Sequence, residues 1–156
     1  LASGIAPVVA MRAAGVKVGL GVDGSSSADS ASLWMEARQA MLLAKLRGGA
    51  HAGTARMALE MATLGGAGCL GREGEIGVLA AGAVADIAVW KLTGPSFAGA
   101  LADPIEAWLR CGPVSAWHTI VNGSFVVRDG EILHPDLSHV LHSHARHAAR
   151  IQQLPR

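Results

Sequence analysis

The sequence predicts an α/β fold of two characters, a helix–strand unit in its first half and a small antiparallel sheet in its second. Three observations carry this. Val16, Val18, Leu20 and Val22 alternate with Lys17, Gly19 and Gly21, the period of a strand, and the run ends on Asp23 and a Gly/Ser loop. Leu33, Ala37, Ala40, Met41 and Ala44 recur at helical spacing and form one apolar face. Asn122-Gly123 and Asp129-Gly130 stand between short apolar runs, the strongest short-range hairpin signal.

The elements follow in order. Pro7 suits the first turn of a helix to about Ala14, with Gly15 as its stop. The strand Val16–Val22 comes next. Asp29 or Ser30 can cap a helix from about Ala31 to Leu46, with Glu36, Arg38 and Lys45 on its wetter sides and Gly48-Gly49 at its end. Thr54 caps a second helix over Ala55–Leu64, and the run Gly65-Gly66-Ala67-Gly68 permits tight packing or leaves room for a ligand. Short strands are predicted at Ile76–Leu79, Ile87–Trp90, Thr119–Val121, Ser124–Arg128 and Glu131–Leu133, with a short helix at Ile105–Arg110. A last helix, about Leu137–Ile151, carries most of the histidines.

Composition narrows the function classes. The chain has 156 residues, 51% of them apolar, so it can bury a core. With 16% charged residues and a net charge of +1 it shows no basic stripe or acidic tail for nucleic acid or a membrane surface. No stretch approaches the roughly 18 apolar residues of a membrane span. Cys69 and Cys111 form no CxxC pair and read as buried thiols in a reducing, cytoplasmic compartment. The first residues show no basic leader and no initiator Met, as in a sequence that starts inside a longer protein.

Asp23 is the first candidate site residue. An acid at the carboxyl end of a buried strand is where α/β folds place their chemistry, although an Asp there can also cap a helix or make an Asx-turn. Ser25, Ser26 and Ser27 can hydrogen-bond a substrate or simply lead into the helix. Of the four tryptophans, read as core and sheet-packing residues, Trp34 is the one placed to approach a pocket. His142-Ser-His144 has the spelling of a metal-binding His-x-His, yet on a helix residues i and i+2 point about 200° apart. His139–His142 and His144–His147 are the helical neighbours, and the segment reads as a solvated surface helix. Asp86 is expected to tie down backbone amides.

Gly19-Leu-Gly-Val-Asp23-Gly-Ser-Ser-Ser-Ala-Asp29-Ser resembles the last barrel strand and loop of the amidohydrolase superfamily. Met57-Ala-Leu-Glu-Met-Ala-Thr63-Leu-Gly-Gly-Ala67-Gly-Cys-Leu70-Gly71 is similar to the helix that follows. Gly77-Val-Leu-Ala-Ala-Gly82-Ala-Val-Ala85-Asp86 resembles the return into that family's sandwich domain. The series is collinear from about Gly4 to the end. Within the branch acting on purines, pyrimidines and s-triazines, Asp23–Asp29, Glu36-Ala-Arg38-Gln39 and Leu109-Arg-Cys111-Gly112-Pro113 look most like the 8-oxoguanine deaminases; Ala28 stands where those tend to carry Asn.

The resemblance implies a (β/α)8 barrel with a β-sandwich. Residues 1–72 would be the last strand and flanking helices of the barrel, 73–135 the C-terminal part of the sandwich with a helical insertion near 104–111, and 136–156 a C-terminal helix. A barrel alone takes about 250 residues, so the chain corresponds to roughly the last third of such an enzyme. It also implies one divalent metal, usually Zn²⁺, and hydrolytic deamination of a purine-like or triazine-like small molecule. Asp23 would be both metal ligand and proton acceptor, and the full-length protein a homo-oligomer. The histidine ligands of the family come from earlier strands, beginning with a His-x-His, so the 156 residues alone would be inactive. The alternatives are an s-triazine or guanine/cytosine-type aminohydrolase, or a non-catalytic truncated interaction module.

Overall fold

Ser32 starts the helix on which the first half of the chain packs. The computed structural model describes residues 4–28 and 30–154, and in it the Ser32 hydroxyl accepts the Met35 amide at 3.4 Å at the head of α2, Leu33–Gly48. The cap is therefore Ser32 rather than Ser30; Asp29, the other predicted cap, lies outside the described residues. Ala37, Met41 and Ala44 are buried as the periodicity requires, whereas Leu33, in the first turn, is exposed. Before it, Pro7 occupies the N-cap position of α1, Val8–Ala13.

Thr54 caps α3, Ala55–Glu60, by accepting the Met57 amide at 3.1 Å. The predicted helix does not stop at Leu64. It widens into a π-helical turn, Met61–Gly65, and continues as α4, Gly66–Cys69. Cys69, expected to be buried, is exposed at its end, and Cys111 is half-buried.

The run 16–22 lies along this helix and is not paired into a sheet. Its link there is the Leu20 amide, which donates to the Met61 carbonyl at 3.2 Å. A strand is defined by ladder partners, and none of the described strands flanks this run. Glycines set the approach. A Cβ at Gly65 would overlap the Val18 carbonyl, and one at Gly19 would stand 3.0 Å from the Gly66 Cα. The small-residue run is used for close packing.

The second half builds a four-stranded antiparallel sheet in the order β1-β2-β3-β4: Ile87–Val89, His118–Val121, Ser124–Arg128 and Glu131–Ile132. Ile87 faces Ile120, Val121 faces Ser124 and Val127 faces Ile132, with a register shift between Thr119 and Ile120. Asn122 and Asp129 take positive φ at the two turns, as the Asn-Gly and Asp-Gly signals require. Asp86 accepts the Asn122 amide at 2.8 Å, tying the first hairpin to the strand that opens the sheet. The predicted strand Ile76–Leu79 is absent. Gly77 turns there at φ +73°, the contact is one isolated bridge from Glu73 to Ile76, and Leu79 is left 81% exposed.

A strap, α5 (Pro104–Arg110), joins the two halves. Asp103 caps it, accepting the Ile105 and Glu106 amides at 3.0 and 3.1 Å. Glu106 in turn accepts the Ala55 amide at the head of α3 at 3.0 Å. Trp108 and Leu109 complete a core with Ala37, Met41, Ala55 and Ala58, and Trp90, the residue after β1, tilts against Trp108 at 5.1 Å. Asp103→Ala is expected to cost about 1–2 kcal/mol, read as a lower urea midpoint with an unchanged slope. The last helix, α6 (Leu137–Gln152), forms as predicted, with none of its residues buried.

Candidate active site

Asp23 sits where the 16–22 run ends, at φ +62°. An L-residue in the left-handed region costs about 1 kcal/mol, least for Asp and Asn. Its Oδ1 accepts the Gly24 amide at 2.7 Å, and residues 25–27 turn so that the Ser27 and Ala28 amides both meet the Gly24 carbonyl. The side chain neither caps α2 nor closes an Asx-turn. The Gly24 amide first, and the Ser27 hydroxyl second, hold the exposed carboxyl below its ordinary value of 3.8. It is an anion at neutral pH.

A group with a depressed folded value favours the native state above the unfolded value, and that contribution disappears as pH falls through the folded one. Carboxyl NMR titration is therefore expected to find Asp23 below pH 3.8. Ser27→Ala should raise the midpoint only part of the way, because the Gly24 amide remains.

Asp23 stands on the rim of a concavity of about 950 Å³. Ser27, Ser30, Trp34, Arg38 and Gln39 share its wall, and Gly112-Pro113 closes another side. Trp34 lines the cavity. Ser25 and Ser26 stand exposed on the adjoining turn, outside the lining, which Ser27 joins in their place. A smaller hollow of about 350 Å³ lies near Arg12, Lys17 and Glu60, where the acid is committed to an ion pair with Arg12 at 2.8 Å.

The reading of Arg38 as a wet-side residue misses its role. It is half-buried, with its guanidinium 6.0 Å over the Trp34 ring and Nη1 donating to the Leu109 and Arg110 carbonyls at 2.9 and 3.2 Å. The available signal was the i,i+4 spacing of Trp34 and Arg38, which puts both on one side of α2.

An exposed, ionised carboxylate is a donor that a divalent cation accepts. Asp23 fits as one ligand of such an ion, but the described residues bring together no group of three His, Cys, Asp or Glu able to hold one. A catalytic zinc site needs three protein ligands. No helix among the described residues is long and apolar enough to cross a membrane.

The profile of the Amidohydrolase family matches residues 1–126. The chain is 45% identical over 154 residues to the 8-oxoguanine deaminase of Pseudomonas aeruginosa, covering 99% of this chain and 33% of that protein. It is 40% identical over 152 residues to the 5-methylthioadenosine/S-adenosylhomocysteine deaminase of Desulforudis audaxviator, covering 97% and 35%. The crystal structure of an atrazine chlorohydrolase of Arthrobacter aurescens complexed with zinc superposes with a TM-score of 0.81 at 33% identity, over 92% of this chain and 32% of that one. The chain spans about a third of the length of each of these. A match that extends from the first residue into the second hairpin, with 45% identity to one relative over 99% of the chain, places this chain in the amidohydrolase family.

Proposed function

We propose that this chain forms the Asp23 wall of an aminohydrolase that deaminates a heteroaromatic base, 8-oxoguanine first among the candidates. The observation that carries the reading is Asp23 itself, an exposed anion held at positive φ on the rim of the hollow of about 950 Å³. That its relatives act on purines and on a triazine supports the substrate class. In this reading residues 1–72 belong to a (β/α)8 barrel, 73–135 to a β-sandwich and 136–156 to a terminal helix. The remaining ligands of one divalent metal, Zn²⁺, come from residues outside these 156, and the full-length protein is a homo-oligomer.

When bound, the metal supplies a water acidified toward neutral pH. Asp23 would be one ligand of that cation, and the carboxylate oxygen left open by the Gly24 amide is the one that takes the proton of the attacking water. The water oxygen bonds to the ring carbon, the C–N bond breaks, and ammonia leaves with the proton Asp23 received. Trp34, in the cavity wall, offers the ring an apolar contact, while Ser27 and the turn beside it offer polar contacts.

The test is ammonia release by the full-length protein from 8-oxoguanine, 5-methylthioadenosine and an amino-s-triazine. The highest kcat/KM is expected for 8-oxoguanine. Preference for either other compound would overturn the substrate, and no release from any of them would overturn the deaminase reading.

A further inference from the structure

The carboxyl end of α5 is held by two side chains of α2, and the residues it leads into form a wall of the cavity. The last carbonyls of a helix have no partner within it. Here Trp34 Nε1 donates to the Trp108 carbonyl at 3.0 Å, and Arg38 Nη1 reaches those of Leu109 and Arg110. Three consecutive carbonyls are thus tied to side chains one turn apart on α2. The chain then runs over the Trp34 ring so closely that a Cβ at Gly112 would stand 2.5 Å from Cζ2. Gly112 and Pro113 face the same cavity as Asp23. The other end of α5 has its own cap at Asp103 and its own tie through Glu106, so the helix does not depend on Arg38 to form.

We propose that Arg38 is a positioning residue: by holding the carboxyl end of α5 it fixes Gly112-Pro113 as the substrate-facing wall and so sets the fit of the base. This rests on the deaminase reading above. A planar guanidinium suits the task because it can bridge two neighbouring carbonyls and stack on an indole, which an ammonium group does less well.

The test combines hydrogen exchange with ammonia-release kinetics on the full-length protein. Arg38→Met is expected to speed amide exchange over residues 107–114 about tenfold and leave β3 unchanged. It should also raise KM for 8-oxoguanine about tenfold, with kcat within about twofold. Arg38→Lys should recover part of both effects. Gly112→Ala displaces the same wall, so its effect on KM should not multiply with that of Arg38→Met. A raised KM with unchanged exchange at 107–114 would mean that Arg38 touches the base directly and would overturn the proposal, as would no change in either. Faster exchange in Arg38→Met, with no deamination by the unsubstituted protein, would leave the contact standing and remove the deaminase reading.

Discussion

Asp23→Asn in the full-length protein is expected to lower ammonia release by about 10³-fold or more while leaving the thermal midpoint, compared between the two metal-free proteins, within about 2 °C. The substitution suits the backbone: Asn tolerates the left-handed conformation as well as Asp does, and its amide oxygen can still accept the Gly24 N–H. What disappears is charge and basicity. A neutral amide binds a divalent cation far less well than a carboxylate and cannot take a proton from water. Metal content should fall in the same variant, measured by elemental analysis after dialysis. A variant that keeps more than about a tenth of the activity would remove Asp23 from the chemistry and leave it as a turn residue. Ser27→Ala, which only loosens the grip on the carboxylate, should cost far less.

The contrast between Asp23 and Arg38 shows what a sequence displays of a site. Asp23 is visible because its signal is local: an apolar alternation ends on an acid, and Gly and Ser follow. Arg38 acts on a carbonyl 71 residues away, and no local pattern records that α5 returns to α2. The same division runs through the fold. Both hairpins of the sheet follow from two-residue turn chemistry, and α3 from Thr54 at its cap. The run 16–22 carries the pattern of a strand, but pattern sets only which side chains share a face. Hydrogen bonding needs neighbours, and those described lie elsewhere. Ile76–Leu79 fails for a local reason, since Gly77 takes a positive φ that interrupts an extended run. The π-helical turn has no sequence signature of its own. It arises where Gly65 meets Val18, a contact between segments.

That contact gives the largest expected effect on stability. Gly65→Ala would normally help a helix by about 1 kcal/mol, through propensity alone. At this position the new methyl group would overlap the Val18 carbonyl and stand 3.1 Å from its carbon and 3.3 Å from the Glu60 carbonyl oxygen. All three atoms are backbone, so no rotamer change relieves them. Overpacking of this kind costs about 1–3 kcal/mol, and rigid neighbours argue for the upper end, so the clash outweighs the propensity gain. The expected net loss is about 2 kcal/mol, or roughly 4–8 °C in the thermal midpoint for a chain of this size. Gly66 separates the two contributions. It is helical, with φ −59° and ψ −46°, and a Cβ there would meet nothing within 4 Å. Gly66→Ala should therefore stabilise by about 1 kcal/mol. Equal effects from the two alanines would show that the 16–22 run is not seated on the helix as described. Opposite signs would show that glycine at 65 holds that run, and with it the loop bearing Asp23, against the π-helical turn.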